Sequence, residues 1–432
     1  MAMGSSSTYK ASDMCDAPAN ETNQQSFMDP GFVHNVLLSN LSHSSVYFYQ
    51  YGNTIDGWSN TRQFLTRPSR SQPPASVKFL GYADFSMDPS PAGVDTSVRL
   101  LQVVTCFHVT QELENGYNNF LLHFGDISYA CGTAWNWDQW FTFIETVATQ
   151  VPYMASIGNR TTQESFTSAD EYDYLNGGEN DPIKSICIGW HPSWGDMGSD
   201  SGGECAVPAV KRFSAPTNGN GIFWYSFDYG PVHVTQVSYV RAMYQMSTEH
   251  DWSRGSIQYN WLARDLKQVN RAVTPFVIVT GHRMMYTTQL QEQGDWEVSE
   301  HMKLELEELF YTNGVNAFLV GHQHSYERSC AVFQRECQAE GPSHAREILP
   351  GNATVHIIVG TAGATLEGGG FSSSLGNWRF VLTLQLVSHS LVHTEAVFGY
   401  LRMEATMTEL HIEFVDNNDG SVYDEVRFSW NL

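Results

Sequence analysis

Polar side chains able to bind a metal follow each of five short apolar runs in this chain. The runs are 77–80, 120–124, 153–157, 276–279 and 317–320. The donors that follow them are Asp84, Asp126 with Tyr129, Asn159, His282, and His322 with His324. Any one of these residues alone is more often a turn or cap residue. Because binding sites in α/β proteins gather at the carboxyl ends of strands, donors after all five runs predict one shared site.

The chemistry of these donors predicts which ions they bind. Carboxylate, amide and imidazole groups suit Zn, Mn or Fe, and no thiolate takes part. The phenolate of Tyr129 suits ferric iron, a hard and highly charged acceptor. Seven donors are too many for one ion but fit two ions that share a bridging carboxylate. Pairs of this kind stabilise in-line phosphoryl displacement and lower the pKa of bound water.

The elements that must position these donors read as a layered α/β domain. Apolar residues at helical spacing predict helices over 259–270 and 297–313, and Gly314 is a plausible cap for the second. Alternation of strands and helices favours a sheet covered on both faces. The tail adds predicted antiparallel strands over 402–415 and 421–429, joined by a turn at 416–420.

The N-terminal part has a different character. Residues 1–25 are polar and rich in small residues, which predicts a disordered segment. Residues 26–70 contain short apolar segments separated by turns, as in part of a β-sandwich. The proline-rich stretch 67–74 predicts a stiff linker and a domain boundary.

Charge and length exclude several classes of function. The chain has 432 residues, with 46 acidic and 23 basic side chains and a formal charge of −23. Such a charge argues against nucleic acid or an anionic membrane surface as a partner. No run approaches the roughly 18–20 apolar residues of a spanning helix, and the first residues lack the apolar core of a signal peptide. An anionic substrate would therefore need local positive charge, for which a metal ion is the obvious source.

Cysteines and glycosylation sequons bear on the compartment. The pairs Cys187/Cys205 and Cys330/Cys337 are close enough in sequence to form loop disulfides in an oxidising compartment, and buried thiols are an equal alternative. The absence of a CxxC pair argues against a structural zinc knuckle. Four sequons begin at Asn20, Asn40, Asn159 and Asn352.

Three motifs carry a family resemblance. GDISYA (125–130), GHR..Y (281–286) and GHQHSYER (321–328) resemble the calcineurin-like metallophosphoesterases. The tyrosine three residues after the aspartate resembles their purple acid phosphatase branch, and DYGPVH (228–233) and GTAG (360–363) resemble its large, plant-type members. The resemblance implies an α/β sandwich of two mixed sheets flanked by helices over 71–432, its C-terminal part starting near 355. A truncated fibronectin-III-like β-domain over 26–70 would precede it.

The resemblance also assigns roles to the donors. The residues that would hold ferric iron are Asp84, Asp126, Tyr129 and His324, with Asp126 bridging to the second ion. Those that would hold a divalent Zn, Mn or Fe ion are Asn159, His282 and His322. The implied activity is acid phosphatase, in which a metal-bound hydroxide attacks a phosphomonoester. A secreted or vacuolar/lysosomal-type compartment, glycosylation at Asn20, Asn40 and Asn352, and a possible homodimer are further implications.

The third family motif is interrupted here. Where the family has GNH followed by Glu or Asp, this chain has Gly158-Asn159-Arg160-Thr161, and family-like sequence resumes at Glu171. The missing histidine normally contacts phosphate and helps to protonate the leaving group. Arg160 stands in its place and can bind phosphate, but an arginine does not give up a proton near neutral pH. Loss of general acid catalysis, typically worth ~10²–10⁴-fold, predicts reduced turnover.

Further departures concern the surroundings of the site. Serine replaces glycine in Asp84-Phe85-Ser86, which predicts backbone strain at Ser86. The stretches 239–246, 343–353 and 379–393 look foreign to the pattern, and we hypothesise an aberrant splice or gene-model form of an ordinary family member. Asn159, Tyr286 and His250 are candidate substrate-binding residues, and Asp126, Asn159 and Arg160 are the candidate catalytic residues.

Four functional hypotheses follow. The first is an active acid phosphatase with two metal ions. The others are a metal-binding but catalytically weak homologue, a phosphodiesterase or nucleotide pyrophosphatase, and a protein in which all motifs are structural caps and turns. Metal content and a comparison of monoester with diester substrates separate them.

Overall fold

A computed structural model describes most of the chain. The described residues are 2–23, 26–70, 74–86, 96–158, 201–204, 206–238, 252–289, 293–338, 347–349, 353–366 and 397–430. The strands are β1 (Ser5–Ser7), β2 (Val33–Asn35), β3 (Val46–Tyr49), β4 (Gly52–Asn53), β5 (Gly57–Trp58), β6 (Arg62–Leu65), β7 (Val77–Tyr82), β8 (Phe85–Ser86), β9 (Leu121–Phe124), β10 (Ile127–Ser128), β11 (Tyr153–Ser156), β12 (Tyr225–Tyr229), β13 (Val232–Gln236), β14 (Phe276–Thr280), β15 (Ala317–Val320), β16 (Tyr326–Phe333), β17 (Glu336–Cys337), β18 (Glu347–Ile348), β19 (Thr354–Val359), β20 (Gly399–Ala405), β21 (Glu409–Asp416) and β22 (Val422–Ser429). The α-helices are α1 (Thr96–Glu114), α2 (Ala134–Ala148), α3 (Val207–Arg212), α4 (Ile257–Gln268), α5 (Gln293–Met302) and α6 (Glu308–Thr312).

Two seven-stranded mixed sheets form the centre of the fold. The first has the order β11-β9-β7-β20-β21-β22-β18, and the second has the order β12-β13-β14-β15-β19-β16-β17. Strands β7, β9 and β11 are parallel neighbours in the first sheet, and β14, β15 and β19 are parallel neighbours in the second. The predicted α/β sandwich is confirmed, and the carboxyl ends of these six strands provide the position of the predicted site.

The apolar runs of the sequence account for the layers. All five predicted buried strands are present as β7, β9, β11, β14 and β15. Apolar side chains from both sheets pack into one core between them, and helices α4 to α6 cover the outer face of the second sheet. Helices α1 and α2 pack beside the first sheet. Strands buried on both faces need continuous apolar sequence, which is why the runs were recognisable.

The predicted helices are present with small differences. Helix α4 begins after Ser256, whose side chain accepts a hydrogen bond from the backbone N–H of Tyr259 at 3.1 Å. The predicted helix 297–313 is a continuous stretch of α5, a π-helical segment (Lys303–Glu307) and α6. Gly314 follows it with a φ of 62°, and the neighbouring Val315 N–H donates to the carbonyl of Phe310, as in a glycine-capped helix end.

One strand prediction was wrong in the tail. The stretch 402–415 is two strands, β20 and β21, which pair as a hairpin rather than one continuous strand. The turn lies at Thr406–Thr408, where the Thr406 N–H donates to the carbonyl of Glu409 at 2.7 Å. Threonine is frequent in strands, so composition gave no sign of a turn. The second predicted turn, 416–420, is present between β21 and β22.

The prediction of disorder for residues 1–25 was also wrong. Residues Ser5–Ser7 pair with β2, and a 3₁₀ turn spans Ala11–Asp13. Tyr9 is buried and packs with Met14, Ala19 and Val207, so the segment is attached to helix α3. Polar composition suggested disorder, but a few well-placed apolar residues suffice for this contact. The other small N-terminal strands form two-stranded pieces, β3 with β6 and β4 with β5.

At least one of the two predicted disulfides is present. Cys330 and Cys337 form a disulfide, as the sequence allowed. Cys15 is also disulfide-bonded. The suggested pair Cys187/Cys205 lies outside the described residues. Within the described part of the chain, no helix has the length and apolar character needed to span a membrane.

Candidate metal centre

Asp84 and Asp126 sit at sharp bends between short strands. Asp84 separates β7 from β8 and Asp126 separates β9 from β10, and β8 pairs in parallel with β10. Both aspartates have left-handed backbones, with φ values of 59° and 47°. Such backbones are unfavourable for residues with a Cβ and cluster at functional sites. The bends therefore carry both carboxylates to the edge of the first sheet.

Tyr129 joins this pair from the segment after β10. Its hydroxyl lies 2.8 Å from Asp84 Oδ1 and 2.9 Å from His324 Nε2. Tyr129 also has a positive φ of 53°, and its side chain is buried. Phenol, carboxylate and imidazole thus meet at one point, as expected for ligands of a common ion.

The second sheet contributes the histidines from the opposite side. His282 follows β14, and its Nε2 lies 3.3 Å from Asp126 Oδ1 and 4.0 Å from Asp84 Oδ1. His322 follows β15 with a φ of 70°, and its backbone N–H donates to Asp84 Oδ2 at 2.9 Å. The centre consequently bridges the carboxyl ends of the two sheets.

His324 is held in a defined orientation. Its Nδ1 lies 2.8 Å from the carbonyl oxygen of Thr365, which can only accept, so Nδ1 carries the proton. The lone pair is then on Nε2, which lies 3.4 Å from Asp84 Oδ1. A backbone acceptor on the far ring nitrogen is typical of metal-binding histidines.

Glycines provide the space for these side chains. A Cβ on Gly321 would lie 2.1 Å from Asp84 Oδ2, and one on Gly158 would lie 2.6 Å from Asp126 Oδ1. A Cβ on Gly125, which has a φ of 103°, would lie 2.3 Å from His282 Nδ1. These glycines precede the predicted donors in sequence, and here they allow the backbone to approach the donors of other strands.

The electrostatics favour bound cations. Asp84 is fully buried, which alone would raise its pKa, but His282, His324 and Tyr129 outweigh that effect and hold the pKa below its usual value. Asp84, Asp126 and His324 present ligand atoms that all lie within 4.8 Å of one another. Buried oxygen and nitrogen donors at this spacing fit the iron, zinc or manganese ions predicted from the sequence.

Comparisons with known proteins agree with this geometry. Residues 2–66 match the family described as purple acid phosphatase, N-terminal domain, and residues 95–326 match calcineurin-like phosphoesterase. Residues 353–425 match the iron/zinc purple acid phosphatase-like protein C family. This chain belongs to the purple acid phosphatase family. The phosphoesterase match makes it a member of a hydrolase family.

Similar proteins differ in their reported activity. The chain is 33% identical to "Probable inactive purple acid phosphatase 9" of Arabidopsis thaliana over 97% of its own length and 59% of that protein. It is 26% identical to a "Nucleotide pyrophosphatase/phosphodiesterase" of Hordeum vulgare, covering 77% and 75%. A purple acid phosphatase structure from Lupinus luteus seeds shares 25% identity with a TM-score of 0.74, covering 99% and 66%. The chain thus spans about three fifths of the Arabidopsis relatives that it matches.

The structure brings most of the predicted purple acid phosphatase ligands together. The ligands whose side chains converge are Asp84, Asp126, Tyr129, His282 and His324. His322 approaches through its backbone, and its ring Nε2 contacts Asp295. The predicted residues Asn159, Arg160, His250 and Asn352 lie outside the described residues. So do 239–246, 379–393 and, within 343–353, residues 343–346 and 350–352, and the origin of these stretches stays a hypothesis.

Two smaller predictions need correction. Ser86 lies in β8 and has no positive φ. The bend is made by Asp84, two residues earlier, so the strained backbone is at Asp84 and not at Ser86. The hydroxyl of Tyr286 donates to Glu307 and accepts from the backbone N–H of Arg335. These contacts, on the α5–α6 side of the second sheet, do not support its predicted role in substrate binding.

Several supporting residues were missed by sequence reasoning. Glu327 accepts from the backbone N–H of Thr288 at 2.9 Å, which ties the loop after β14 to the start of β16. Arg328 points the other way and pairs with Asp424 at 2.6 Å. Alternation along β16 explains the difference, because adjacent strand residues face opposite sides. Asp295 could not be recognised from the sequence, because a carboxylate near the start of a helix is common.

Proposed function

We propose that this chain is a phosphomonoesterase of the acid phosphatase type with a two-ion centre and reduced turnover. The observation that carries the proposal is the convergence of Tyr129, Asp84 and His324, with oxygen and nitrogen atoms 2.8–3.4 Å apart. A phenolate in this set favours ferric iron, which is a harder acid than the other candidates.

The donors divide naturally between two ions. Ferric iron would take Asp84, Tyr129 and His324, and a divalent zinc, manganese or iron ion would take His282, His322 and Asn159. Asp126 would contact both ions, since its Oδ1 lies 3.3 Å from His282 Nε2 and its carboxylate also reaches Asp84 and His324. When bound, the ions supply Lewis acidity toward phosphate oxygens and lower the pKa of a coordinated water.

Local charge explains how an acidic protein handles an anion. The chain carries a formal charge of −23. One ferric and one divalent ion bring about five positive charges to a site with three anionic ligands, namely Asp84, Asp126 and the Tyr129 phenolate. The site is then net positive toward phosphate, although the surrounding protein is negative.

Turnover should be low because a proton donor is missing. Arg160 occupies the sequence position of the family's histidine and cannot protonate a leaving alkoxide. A loss of about 10²–10⁴-fold in turnover is the ordinary consequence of removing a general acid. The relatives named as probable inactive purple acid phosphatases are in line with this expectation.

A secreted or vacuolar/lysosomal-type location is part of the proposal. The Cys330–Cys337 disulfide suits an oxidising compartment. Asn20 and Asn40, the sequon residues within the described part, are both exposed, as glycosylation requires. Small phosphomonoesters are the proposed substrates, and a homodimer is the proposed assembly.

A phosphodiesterase or nucleotide pyrophosphatase is the second candidate. The barley relative with that name covers 77% of this chain. Related two-ion sites act on diesters as well as monoesters, so the metal donors alone do not distinguish the two activities. Rates on p-nitrophenyl phosphate and on bis-p-nitrophenyl phosphate over pH 4–7 do so directly.

The test starts with purified protein reconstituted with iron and zinc or manganese. We expect two metal ions per chain, an absorption band from the iron phenolate, and slow hydrolysis of p-nitrophenyl phosphate. The Tyr129→Phe variant should lose the band. A wild-type protein that binds neither iron nor zinc after reconstitution contradicts the proposal, and faster hydrolysis of the diester would favour the second candidate.

A further inference from the structure

His322 is held by two carboxylates from different parts of the chain. Its ring Nε2 lies 2.7 Å from Asp295 Oδ1, and its backbone N–H donates to Asp84 Oδ2 at 2.9 Å. An ionised carboxylate only accepts hydrogen bonds, so Nε2 must carry a proton. The lone pair of a neutral His322 ring is then on Nδ1.

Asp295 is itself fixed in place by an arginine. Arg283 Nη1 lies 2.7 Å from the same oxygen of Asp295, and both side chains are buried. The guanidinium of Arg283, paired with Asp295 Oδ1, keeps this carboxylate a hydrogen-bond acceptor. Buried ion pairs contribute little net stability, because desolvation offsets their attraction. Stability alone therefore gives a weak account of this arrangement.

The arrangement connects two of the predicted ligands. Arg283 follows His282 directly in the chain, and Asp295 lies in the first turn of α5. Through Asp295, the orientation of the His322 ring is linked to the loop that carries His282. His282 and His322 have ring centres 5.3 Å apart, so the two imidazoles are neighbours.

We propose that Asp295 is a positioning residue for the site of the divalent ion. It fixes the His322 ring as the tautomer with the proton on Nε2, which leaves Nδ1 to bind the ion. The proposal rests on the two-ion function above. His324, two residues further on, is fixed in the opposite sense, with Nδ1 donating to the Thr365 carbonyl and Nε2 facing Asp84. One loop thus presents different ring nitrogens to the two ions.

A selective loss of the divalent ion is the expected signature. A carboxylate on the far ring nitrogen orients a ligating histidine and increases its basicity, and its removal typically weakens metal binding by about 10–100-fold. The proposed iron ligands Tyr129 and His324 contact Asp84, each other and the Thr365 carbonyl rather than Asp295, so the iron band should persist. A merely structural role would instead weaken both ions together.

The experiment compares full-length wild type with Asp295→Ala, Asp295→Asn and Asp295→Glu. Divalent affinity is measured by competition with a chromogenic chelator, bound iron by elemental analysis and the iron phenolate band, and folding by circular dichroism. Asp295→Ala should bind zinc about 10–100-fold more weakly with iron retained. Asp295→Asn should show a smaller loss, and Asp295→Glu should restore part of the affinity.

A matched control is available on strands β21 and β22 of the first sheet. Glu425 Oε2 accepts from His411 Nε2 at 2.9 Å, so Glu425→Gln alters another carboxylate–histidine pair. That variant should keep wild-type affinity for both ions.

Unchanged zinc affinity in Asp295→Ala, or equal loss of iron and zinc, would overturn the assignment. If Asp295→Ala does not fold, zinc affinity and bound iron are measured instead on the isosteric variant Asp295→Asn, and the same outcomes apply. A wild-type chain that binds no metal contradicts the proposed function, whereas a two-ion wild type with unaffected variants contradicts only the role of Asp295.

Discussion

Two groups of histidine and carboxylate side chains in this molecule have similar donors but different settings. One is the candidate metal centre, with Asp84, Asp126 and His324 buried at strand ends. The other, here called the surface cluster, comprises His411, Glu413 and Glu425 on β21 and β22, all half-buried. Ligand atoms in each group lie within 4.8 Å of one another, so spacing alone does not separate them.

The neighbours of the carboxylates make the difference. In the surface cluster, Arg427 Nη2 lies 3.2 Å from Glu425, and Arg402 Nε lies 2.7 Å from Glu413. These cations already balance the carboxylates, and the residues lie in regular strands that face partly toward water. In the centre, histidines and a tyrosine surround the carboxylates, and the backbone is left-handed at both aspartates. Carboxylates and histidines therefore form a metal site only where the backbone directs them to one point and no cation already pairs with them.

Removal of a carboxylate should have the largest effect at the centre. Asp126→Ala should lower phosphatase turnover by about 10³-fold or more, because the ions supply several kcal/mol of transition-state stabilisation. Bound metal should fall below two ions per chain by elemental analysis. Glu425→Ala, which removes a carboxylate from the surface cluster, should change neither measurement. Equal losses of turnover and bound metal in Asp126→Ala and Glu425→Ala would show that the two groups do not differ in metal binding.

His233 shows that a buried histidine beside carboxylates can be stabilised by protonation instead of by a metal ion. His233 Nδ1 lies 2.7 Å from Asp228 Oδ1, and Nε2 lies 3.1 Å from Asp265 Oδ2. Burial would lower its pKa, but the two carboxylates raise it to about 9. Because this exceeds the unfolded value, the protonated form stabilises the fold fully below about pH 6.5, and that contribution is lost as pH rises through about 9.

The expected size of that effect is about 3 kcal/mol in the free energy of unfolding. Urea denaturation at pH 6 and pH 9.5 measures it, with His233→Gln as the comparison. The wild-type protein should lose about 3 kcal/mol more than the variant between these pH values. Identical losses would show that His233 is not held as a cation.

A smaller effect should follow from filling the space near Asp84. Gly321→Ala places a Cβ 2.1 Å from Asp84 Oδ2, which displaces the carboxylate and costs about 1–3 kcal/mol of stability. Gly255→Ala is the control, since its Cβ meets nothing within 4 Å, although its φ of 93° adds some strain. Only Gly321→Ala should reduce metal affinity in a chelator titration. Weaker binding in both variants would mean that the loss reflects general destabilisation.

The smallest effect should come from the surface cluster itself. Arg427 is partly exposed and pairs with Glu409 and Glu425, so Arg427→Ala should cost no more than about 1 kcal/mol in urea denaturation. Its removal leaves Glu425 without that cation, which tests whether arginines are what keeps metals away. Zinc binding at His411 with an affinity like that of the centre would show that positioning matters less than charge balance.

The donors of the centre were predictable because each follows a continuous apolar run. Such runs mark buried strands, and parallel strands bring their carboxyl ends together. Asp84, Asp126, Tyr129, His282 and His324 were found on this basis. The helices were likewise visible from their apolar spacing, and Gly314 from its place after the last apolar turn.

Most of the remaining features depend on tertiary contacts that no local pattern encodes. Asp295 meets His322 only because α5 begins beside the loop after β15. The attachment of Tyr9 near Val207 depends on residues almost 200 positions apart. The hairpin turn after β20 uses threonines, whose usual preference for strands concealed it.

The central claim is that two ions bind between the two sheets at the candidate metal centre. Anomalous diffraction from crystals of the iron- and zinc-loaded protein tests it most directly. We predict two peaks about 3.5–4 Å apart, with iron within about 2–2.5 Å of donor atoms of Asp84, Tyr129 and His324. Peaks confined to the surface cluster, or none near Asp84 and Asp126, would contradict it.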